Sequence, residues 1–207
     1  FCEKHPGVSL RIFISDNVSD VFRDPVDVAI RYGVLENSSY VALPLAEDNR
    51  RVLVASPAYL NKQGRPRQLD DLALHHCLLY TLNGHVYDRW TFPEKGGKRQ
   101  LTVSSRMLCD DADLARRWAV AGMGIAYKSW IDVSADVLAG RLEVLLPEQP
   151  GEGVPLNLIC PHRKQFSPAI RELHAQLREK LKADTALMHT HPAFLPGAQD
   201  AQPADSA

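Results

Sequence analysis

The sequence carries no excess charge of either sign. Its 24 Lys and Arg residues face 25 Asp and Glu residues, which gives a formal net charge of −1 at pH 7. A chain with balanced charge has no global field that could hold a phosphate backbone or an anionic membrane. The composition therefore argues against nucleic acid or a membrane as a direct partner of these 207 residues.

Long apolar runs and paired cysteines are missing as well. No run approaches the roughly 18 apolar residues of a membrane span, and no basic and then apolar leader opens the chain. The cysteines are far apart and form no C-x-x-C motif; they are Cys2, Cys77, Cys109 and Cys160. Scattered cysteines in apolar stretches are typical of reduced, buried thiols. These features predict a cytoplasmic protein.

The motifs by which many enzymes are recognised are also absent. The chain contains no G-x-S-x-G, H-E-x-x-H, G-x-x-x-x-G-K-[ST] or G-x-G-x-x-G pattern. Gly122-Met123-Gly124 supplies only G-x-G, and it follows a predicted helix and precedes a predicted strand. A dinucleotide site requires the reverse order. We therefore predict that the chain is not an enzyme and that it binds no cofactor.

Histidine pairs do not indicate a metal site. His75 and His76 are adjacent, so they cannot share one face of a strand, and no fourth ligand lies near them in sequence. His189 and His191 could bind a metal adventitiously, but they fall in a segment without a predicted scaffold. No metal is predicted.

Apolar, β-branched segments alternate with helical segments along most of the chain. Residues 8–14 and 26–31 are predicted strands around a short helix near 17–23, an order that indicates a parallel sheet with helices on its faces. Further strands are expected near 40–45, 51–55, 77–81, 87–92, 99–105, 122–127, 141–146 and 154–160. Helices are expected from Ser56, at 68–73, 110–120 and 133–138, and from Ser167. The pattern stops near Ala183, which predicts a disordered tail over 184–207.

Polar residues stand at the ends of several of these elements, where open α/β sheets bind ligands. Helices that begin at Ser56 and Asp110 would direct backbone N–H groups into a crevice, where they could hold a carboxylate. Alternatively, Ser56 and Asp110 serve only as helix caps, and the sequence leaves both interpretations open. The candidate segments are Ser15-Asp16-Asn17, Arg31-Tyr32-Gly33, Ser56-Pro57 and Cys109-Asp110-Asp111.

An ordered series of short motifs gives the chain a family resemblance. The series is HPGV at 5–8, VDVAIRYG at 26–33, RVLVASPAYL at 51–60, Leu72 with HCL at 76–78, AGMGIA at 121–126, GRL at 140–142 and LLP at 145–147. Each motif alone is weak, but the order is specific. Over nearly all of residues 1–183 the chain resembles the effector-binding portion of a LysR-type transcriptional regulator.

The resemblance implies an α/β fold of two Rossmann-like lobes joined by two crossover strands, like a type 2 periplasmic binding protein. The crossovers would fall near 52–56 and 156–160. Lobe I would then comprise about 1–54 and 161–183, and lobe II about 55–160. In the family a further first strand and a winged helix-turn-helix precede the segment that Phe1 opens. The sequence leaves open whether that strand is absent from the protein or only lies outside these residues.

The resemblance also implies a function. A small-molecule effector, for which an organic acid is one candidate, would bind between the lobes, and the domain would form a homodimer, or a tetramer in the full-length protein. DNA would be bound only through the missing N-terminal domain. The family's pocket maps onto Ser15, Asp16, Arg31, Tyr32, Gly33, Ser56, Pro57, Asp110, Ile125 and Tyr127. A solute-binding protein of a transport system shares this architecture and is the alternative.

Overall fold

The described residues of a computed structural model form a mixed α/β fold; they are 1–14, 26–33, 40–82, 84–160 and 167–194. The strands are β1 (Ala29–Tyr32), β2 (Val41–Ala46), β3 (Arg51–Ala55), β4 (Cys77–Leu82), β5 (His85–Val86), β6 (Arg89–Glu94), β7 (Gly97–Thr102), β8 (Leu108–Cys109), β9 (Ile125–Ser129), β10 (Glu143–Leu145) and β11 (Leu156–Cys160). The helices are α1 (Pro57–Gln63), α2 (Ala112–Val120), α3 (Trp130–Leu138) and α4 (Pro168–Thr190). Short 3-10 turns occur at Leu69–Leu74 and Pro192–Phe194.

A three-stranded antiparallel sheet, in the order β1-β11-β2, forms the described part of lobe I. The first half of α4 covers this sheet, because Ile170, Leu177 and Leu181 pack against a buried cluster that contains Leu45 and Leu158. These helix residues share one face at helical spacing, as the sequence pattern predicts. Lobe I is therefore built from segments at both ends of the chain.

A larger sheet, in the order β10-β3-β9-β4-β5 with β8 beside β4, forms lobe II. Successive side chains of β3 enter different cores, since Leu53 belongs to one buried cluster and Val52 and Val54 to another. This alternation is what a strand covered on both faces requires. The β6–β7 hairpin supplies Trp90 and Phe92 to the Leu53 core, and α2 and α3 cover the opposite face.

The predicted strand at 8–14 is wrong. The segment has no regular secondary structure, and its apolar side chains are exposed, with Ile12 at 77 % and Ile14 at 96 %. A β-branched sequence forms a strand only when a neighbouring strand pairs with its backbone, and no strand in the described ranges pairs with 8–14. The predicted helix near 17–23 lies outside the described residues.

The parallel sheet predicted from strands at 8–14 and 26–31 is not formed either, because 8–14 forms no strand and β1 pairs with β11 in antiparallel orientation. Within the described ranges, the parallel pairs are β4–β9 and β4–β8, whereas β3 is antiparallel to both β9 and β10. The prediction failed because it treated consecutive strands as neighbours. In the structure β11, far along the chain, lies between β1 and β2.

Two short segments connect the sheet of lobe I with the sheet of lobe II. All of β3 belongs to the lobe II sheet and all of β11 to the lobe I sheet, so residues 47–50 and 151–155 make the two crossings. An isolated antiparallel bridge joins Arg50 to Gly153 where these segments meet. We call Asn49–Arg51 and Glu152–Val154 the hinge.

The predicted tail does not begin at 184. Helix α4 continues to Thr190 and is followed by the 3-10 turn at Pro192–Phe194. Met188 is only 3 % exposed in a lobe II core cluster with Trp130, and the indole N–H of Trp130 donates to the Asp184 carbonyl at 2.8 Å. Tertiary packing thus keeps this stretch helical, although its composition predicted disorder. No described helix, α4 included, combines the length and apolar character of a membrane span.

Candidate functional site

The predicted site residues at the end of β1 lie at the boundary between the lobes. Gly33 N donates to the Pro155 carbonyl at 2.8 Å, and the Asn157 side chain donates to the Gly33 carbonyl at 2.9 Å. Tyr32 is partly exposed, and Arg31 is half-buried. Ser15 and Asp16 lie outside the described residues. The end of β1 is therefore fixed against the second crossing segment.

Tyr32 connects lobe I to lobe II. Its hydroxyl donates to Asp132 Oδ1 on α3 at 2.7 Å. Asp132 Oδ2 in turn lies 3.1 Å from Nζ of Lys128, whose residue is only 3 % exposed. Partial burial of the phenol, together with the negative charge of Asp132, raises the pKa of Tyr32. The hydroxyl is therefore a permanent donor at neutral pH, and Tyr32, Asp132 and Lys128 form a continuous polar chain across the lobe boundary.

Lys128 extends this chain towards the start of α2. Its Nζ donates to the Ala112 carbonyl at 3.0 Å and lies 4.9 Å from the centroid of the Tyr80 ring. A buried ammonium needs such partners because it has lost its hydration. Ala112 follows Asp110 by two residues, so the structure brings the predicted segments at Tyr32 and Asp110 to the same polar chain. Sequence reasoning missed Lys128 and Asp132, because neither ends an element that it had singled out.

Replacing Tyr32 by Phe removes the described hydroxyl contact between the lobes without changing ring volume. We expect the free energy of unfolding to fall by about 1 kcal/mol, the usual net value of one hydrogen bond, and the lobes to sample a wider range of separations. Chemical denaturation and small-angle X-ray scattering would measure the two effects. The control is Ser9→Ala, which removes an exposed hydroxyl from the N-terminal segment. A Tyr32→Phe variant with scattering identical to wild type would show that this contact does not restrain the lobes.

The helix starts at Ser56 and Asp110 differ in their role. Ser56 is 2 % exposed, and its Oγ accepts from Tyr59 N at 3.3 Å, with Pro57 in the first turn of α1. The capping interpretation therefore accounts for Ser56. The cap of α2 is Asp111, whose Oδ1 accepts from the backbone at residues 113 and 114. Asp110 is exposed and makes no cap.

Ile125 and Tyr127, which the family mapping placed in the pocket, are core residues. They are 0 % and 1 % exposed. The Tyr127 hydroxyl is also committed, because it donates to the Thr91 carbonyl at 2.6 Å and accepts from Glu152 N at 2.9 Å. Both side chains pack in the core cluster that contains Leu53. Neither side chain is exposed to a ligand in this structure.

The sequence analysis did not identify a buried asparagine at the hinge. Asn49 is 0 % exposed, and its side-chain amide donates to the Val154 carbonyl at 2.8 Å and to Ser129 Oγ at 3.0 Å. Its Oδ1 accepts from Ile131 N at 3.3 Å. One side chain therefore ties the first crossing to the second crossing and to the start of α3.

Arg51 forms the second part of the hinge. It is 7 % exposed; Nη1 donates to the Tyr80 hydroxyl at 2.9 Å, and Nε lies 3.3 Å from Glu152 Oε1. The guanidinium also stacks on the Tyr87 ring, 4.4 Å from its centroid. Burial alone would lower the pKa of Arg51, but Tyr80, Tyr87 and Glu152 more than offset it and raise the pKa. The cation is permanent and fixes Glu152 on the second crossing.

Gly151 allows the second crossing to approach the first. A Cβ at this position would lie 2.4 Å from the Arg51 carbonyl oxygen and 2.5 Å from the Tyr127 hydroxyl. We expect Gly151→Ala to lower the free energy of unfolding by about 1–3 kcal/mol, the range for overpacking, as measured by urea denaturation. Gly153→Ala is the control, because a Cβ there meets no atom within 4 Å. Equal stability of the two variants would contradict the close approach.

The comparison with known proteins decides what this two-lobed arrangement is. A family model described as the LysR substrate binding domain matches residues 1–182. The chain belongs to this family. The resemblance seen in the sequence is thus confirmed, and the chain is an effector-binding domain of the LysR type. The match does not favour the solute-binding alternative.

Individual proteins that are similar to this chain are regulators of the same kind. The HTH-type transcriptional regulator DmlR of Escherichia coli is 32 % identical over 144 residues, which are 70 % of this chain and 47 % of DmlR. The HTH-type transcriptional regulator CrgA of Neisseria meningitidis is 31 % identical over 182 residues, 87 % of this chain and 60 % of CrgA. The solved CrgA regulatory domain superposes with a TM-score of 0.75 at 28 % identity and covers 87 % of both chains. The LysR-type chain described here spans about half the length of the curated relatives it matches.

Proposed function

We propose that this LysR-type domain senses a small organic acid at the boundary between its lobes. The observation that carries the proposal is the polar chain from Tyr32 through Asp132 to Lys128. A carboxylate that enters the boundary can compete with Asp132 for the buried ammonium of Lys128 and for the Tyr32 hydroxyl. Binding would then exchange a contact within the protein for one with the ligand and change the preferred separation of the lobes.

The proposed pocket combines predicted residues with residues found in the structure. Arg31, Tyr32 and Gly33 would contribute the lobe I wall. Asp110, Lys128 and Asp132 would contribute the lobe II wall, and Ser15 and Asp16 remain candidates from the sequence. Ser56 and Pro57 would act indirectly, by fixing α1. We propose lobe boundaries at the hinge rather than at residues 54 and 160.

The proposed output is mechanical rather than chemical. A ligand shifts the equilibrium between two lobe arrangements by no more than its difference in affinity for them. We propose that the domain catalyses no reaction and acts in the cytoplasm as a homodimer. In the full-length protein, which would form a tetramer, a helix-turn-helix segment would bind DNA and respond to the lobe movement, since the relatives are named HTH-type regulators.

A binding screen tests the proposal. Acetate, succinate, benzoate and their uncharged amides would be compared by thermal shift, and the acid with the largest shift would be titrated calorimetrically into wild type, Arg31→Ala and Lys128→Met. The control is Arg89→Ala, which removes an exposed arginine of the lobe II hairpin. We expect the two boundary variants to weaken binding at least tenfold and the control to leave it unchanged. Unchanged affinity in both boundary variants would disprove this pocket.

A further inference from the structure

A shallow depression on lobe II lies away from the lobe boundary and shares no residue with the proposed pocket. Its volume is about 340 Å³, and the described residues that line it are Ala73, Leu74, His75, His76, Ser104, Ser105 and Arg106. We call it the histidine depression. One wall is the end of the Leu69–Leu74 turn with the chain that leads to β4, and the other is the chain between β7 and β8.

Tyr59 contacts both histidines of the depression. Its hydroxyl accepts from His76 N at 2.9 Å and lies 3.1 Å from His75 Nδ1. Burial lowers the pKa of His75 and favours its neutral form. A neutral imidazole carries one N–H, and when the Tyr59 hydroxyl donates to Nδ1 this N–H is at Nε2. In that tautomer His75 offers Nε2–H as a donor.

The opposite wall adds a permanent positive charge. Ser105 is committed to its own turn, because its Oγ accepts from Met107 N at 2.9 Å and donates to the Met107 carbonyl at 2.7 Å. This turn holds the neighbouring exposed residues, Ser104 and Arg106, in the lining. A guanidinium presents up to five donors in a planar fork that suits oxyanions.

No carboxylate competes for these donors among the described residues of the lining. The acidic side chain that acts on His75 is Asp71. Its Oδ2 already accepts from Arg67 N at 2.7 Å and from Gln68 N at 3.2 Å, as part of a capping box. The described lining thus combines an imidazole N–H, a hydroxyl and a guanidinium, with a second imidazole at His76 and no carboxylate among these residues.

We propose that the histidine depression binds the phosphate group of a small metabolite. Residues with donor groups line both walls, and several donors match the oxygens of a phosphate better than the two oxygens of a carboxylate. Ala73 and Leu74, the latter 85 % exposed, provide an apolar rim for the organic part of a phosphate monoester. Such a ligand would bind lobe II alone, independently of the effector between the lobes.

Nuclear magnetic resonance of the ¹⁵N-labelled chain tests this site. Sodium phosphate would be titrated at pH 7, with sodium chloride at matched ionic strength and sodium acetate as separate arms. The variants are Arg106→Gln and, as a matched control for lost charge, Arg89→Gln on the exposed face of β6.

We expect phosphate to shift the amide signals of residues 73–76 and 104–106 saturably, and acetate to bind at least fivefold more weakly. Arg106→Gln should weaken phosphate binding at least tenfold, and Arg89→Gln should change it less than twofold. Shifts no larger than those in chloride, or an unchanged affinity in Arg106→Gln, would overturn the site. Equal affinity for acetate would overturn the assignment to phosphate.

Discussion

Met188→Asp should lower the free energy of unfolding by about 3 kcal/mol or more. The Met188 side chain is buried beside Trp130, Val133 and Val137. Loss of a buried Met side chain alone costs about 2–5 kcal/mol, and an unpaired carboxylate in the same place adds a desolvation cost. Urea denaturation followed by far-ultraviolet circular dichroism would measure the change.

The control for this prediction is Ala186→Asp, which places the same charge on the exposed side of the same helix turn. It should cost about 0.7 kcal/mol or less, because only helix propensity changes. Equal effects of the two substitutions would mean that 184–190 does not pack on lobe II. The disordered tail predicted from composition would then have been the better description.

Asn49→Ala should cost about 2–4 kcal/mol, because it leaves several buried partners unpaired at once. The Val154 carbonyl and the Ile131 N–H each lose a hydrogen bond from the Asn49 side chain. A buried polar group without a partner costs about 1–3 kcal/mol. The same substitution should loosen the two crossings, so the lobes of the folded protein should vary more in separation.

Asn61→Ala is the matched control for Asn49→Ala, since Asn61 is exposed on α1. Its effect should stay within about 0.5 kcal/mol, as for most surface substitutions. Thermal and urea denaturation would compare the two variants, and hydrogen exchange at residues 129–131 and 152–154 would show whether the loss is local. A cost below about 1 kcal/mol for Asn49→Ala would contradict the role of Asn49 in the hinge.

Local physical chemistry predicted much of the fold. Ser56 and Ser167 cap α1 and α4 as expected, each with Oγ accepting from the backbone N–H three residues on. Strands β2, β3, β4 and β11 follow from their apolar, β-branched sequences. These features depend on residues a few positions apart, so a single sequence contains the information for them.

Features that depend on distant residues were not predictable in the same way. Asn49 and Arg51 look like part of a polar turn, and their burial is caused by partners about 100 residues later, at Glu152 and Val154. The segment 8–14 has strand propensity but no described partner. Conversely, Met188 follows Leu181 by seven residues on the same helix face, a signal that the polar composition of the tail obscured.

The residues of the candidate site also divide into those that the sequence predicted and those that only distant contacts identify. Tyr32 was selected because it ends a strand, and the structure places it at the lobe boundary. Lys128 lies inside the apolar sequence of β9, where a lysine alone does not indicate a site. Only the pairing of β9 with β3 and the position of Asp132 one helix turn later give Lys128 its role.

The distance between the lobes is the quantity that tests the central claim most directly. Spin labels at Asn61→Cys on lobe II and Ala175→Cys on lobe I, in a Cys2→Ser and Cys109→Ser background, would report it by pulsed electron resonance. The measurement would be made without ligand and with the carboxylic acid that gives the largest thermal shift. The proposed sensing mechanism predicts that saturating ligand shifts or narrows the distance distribution. The same change should be smaller in Lys128→Met. An unchanged distribution with ligand bound would contradict it.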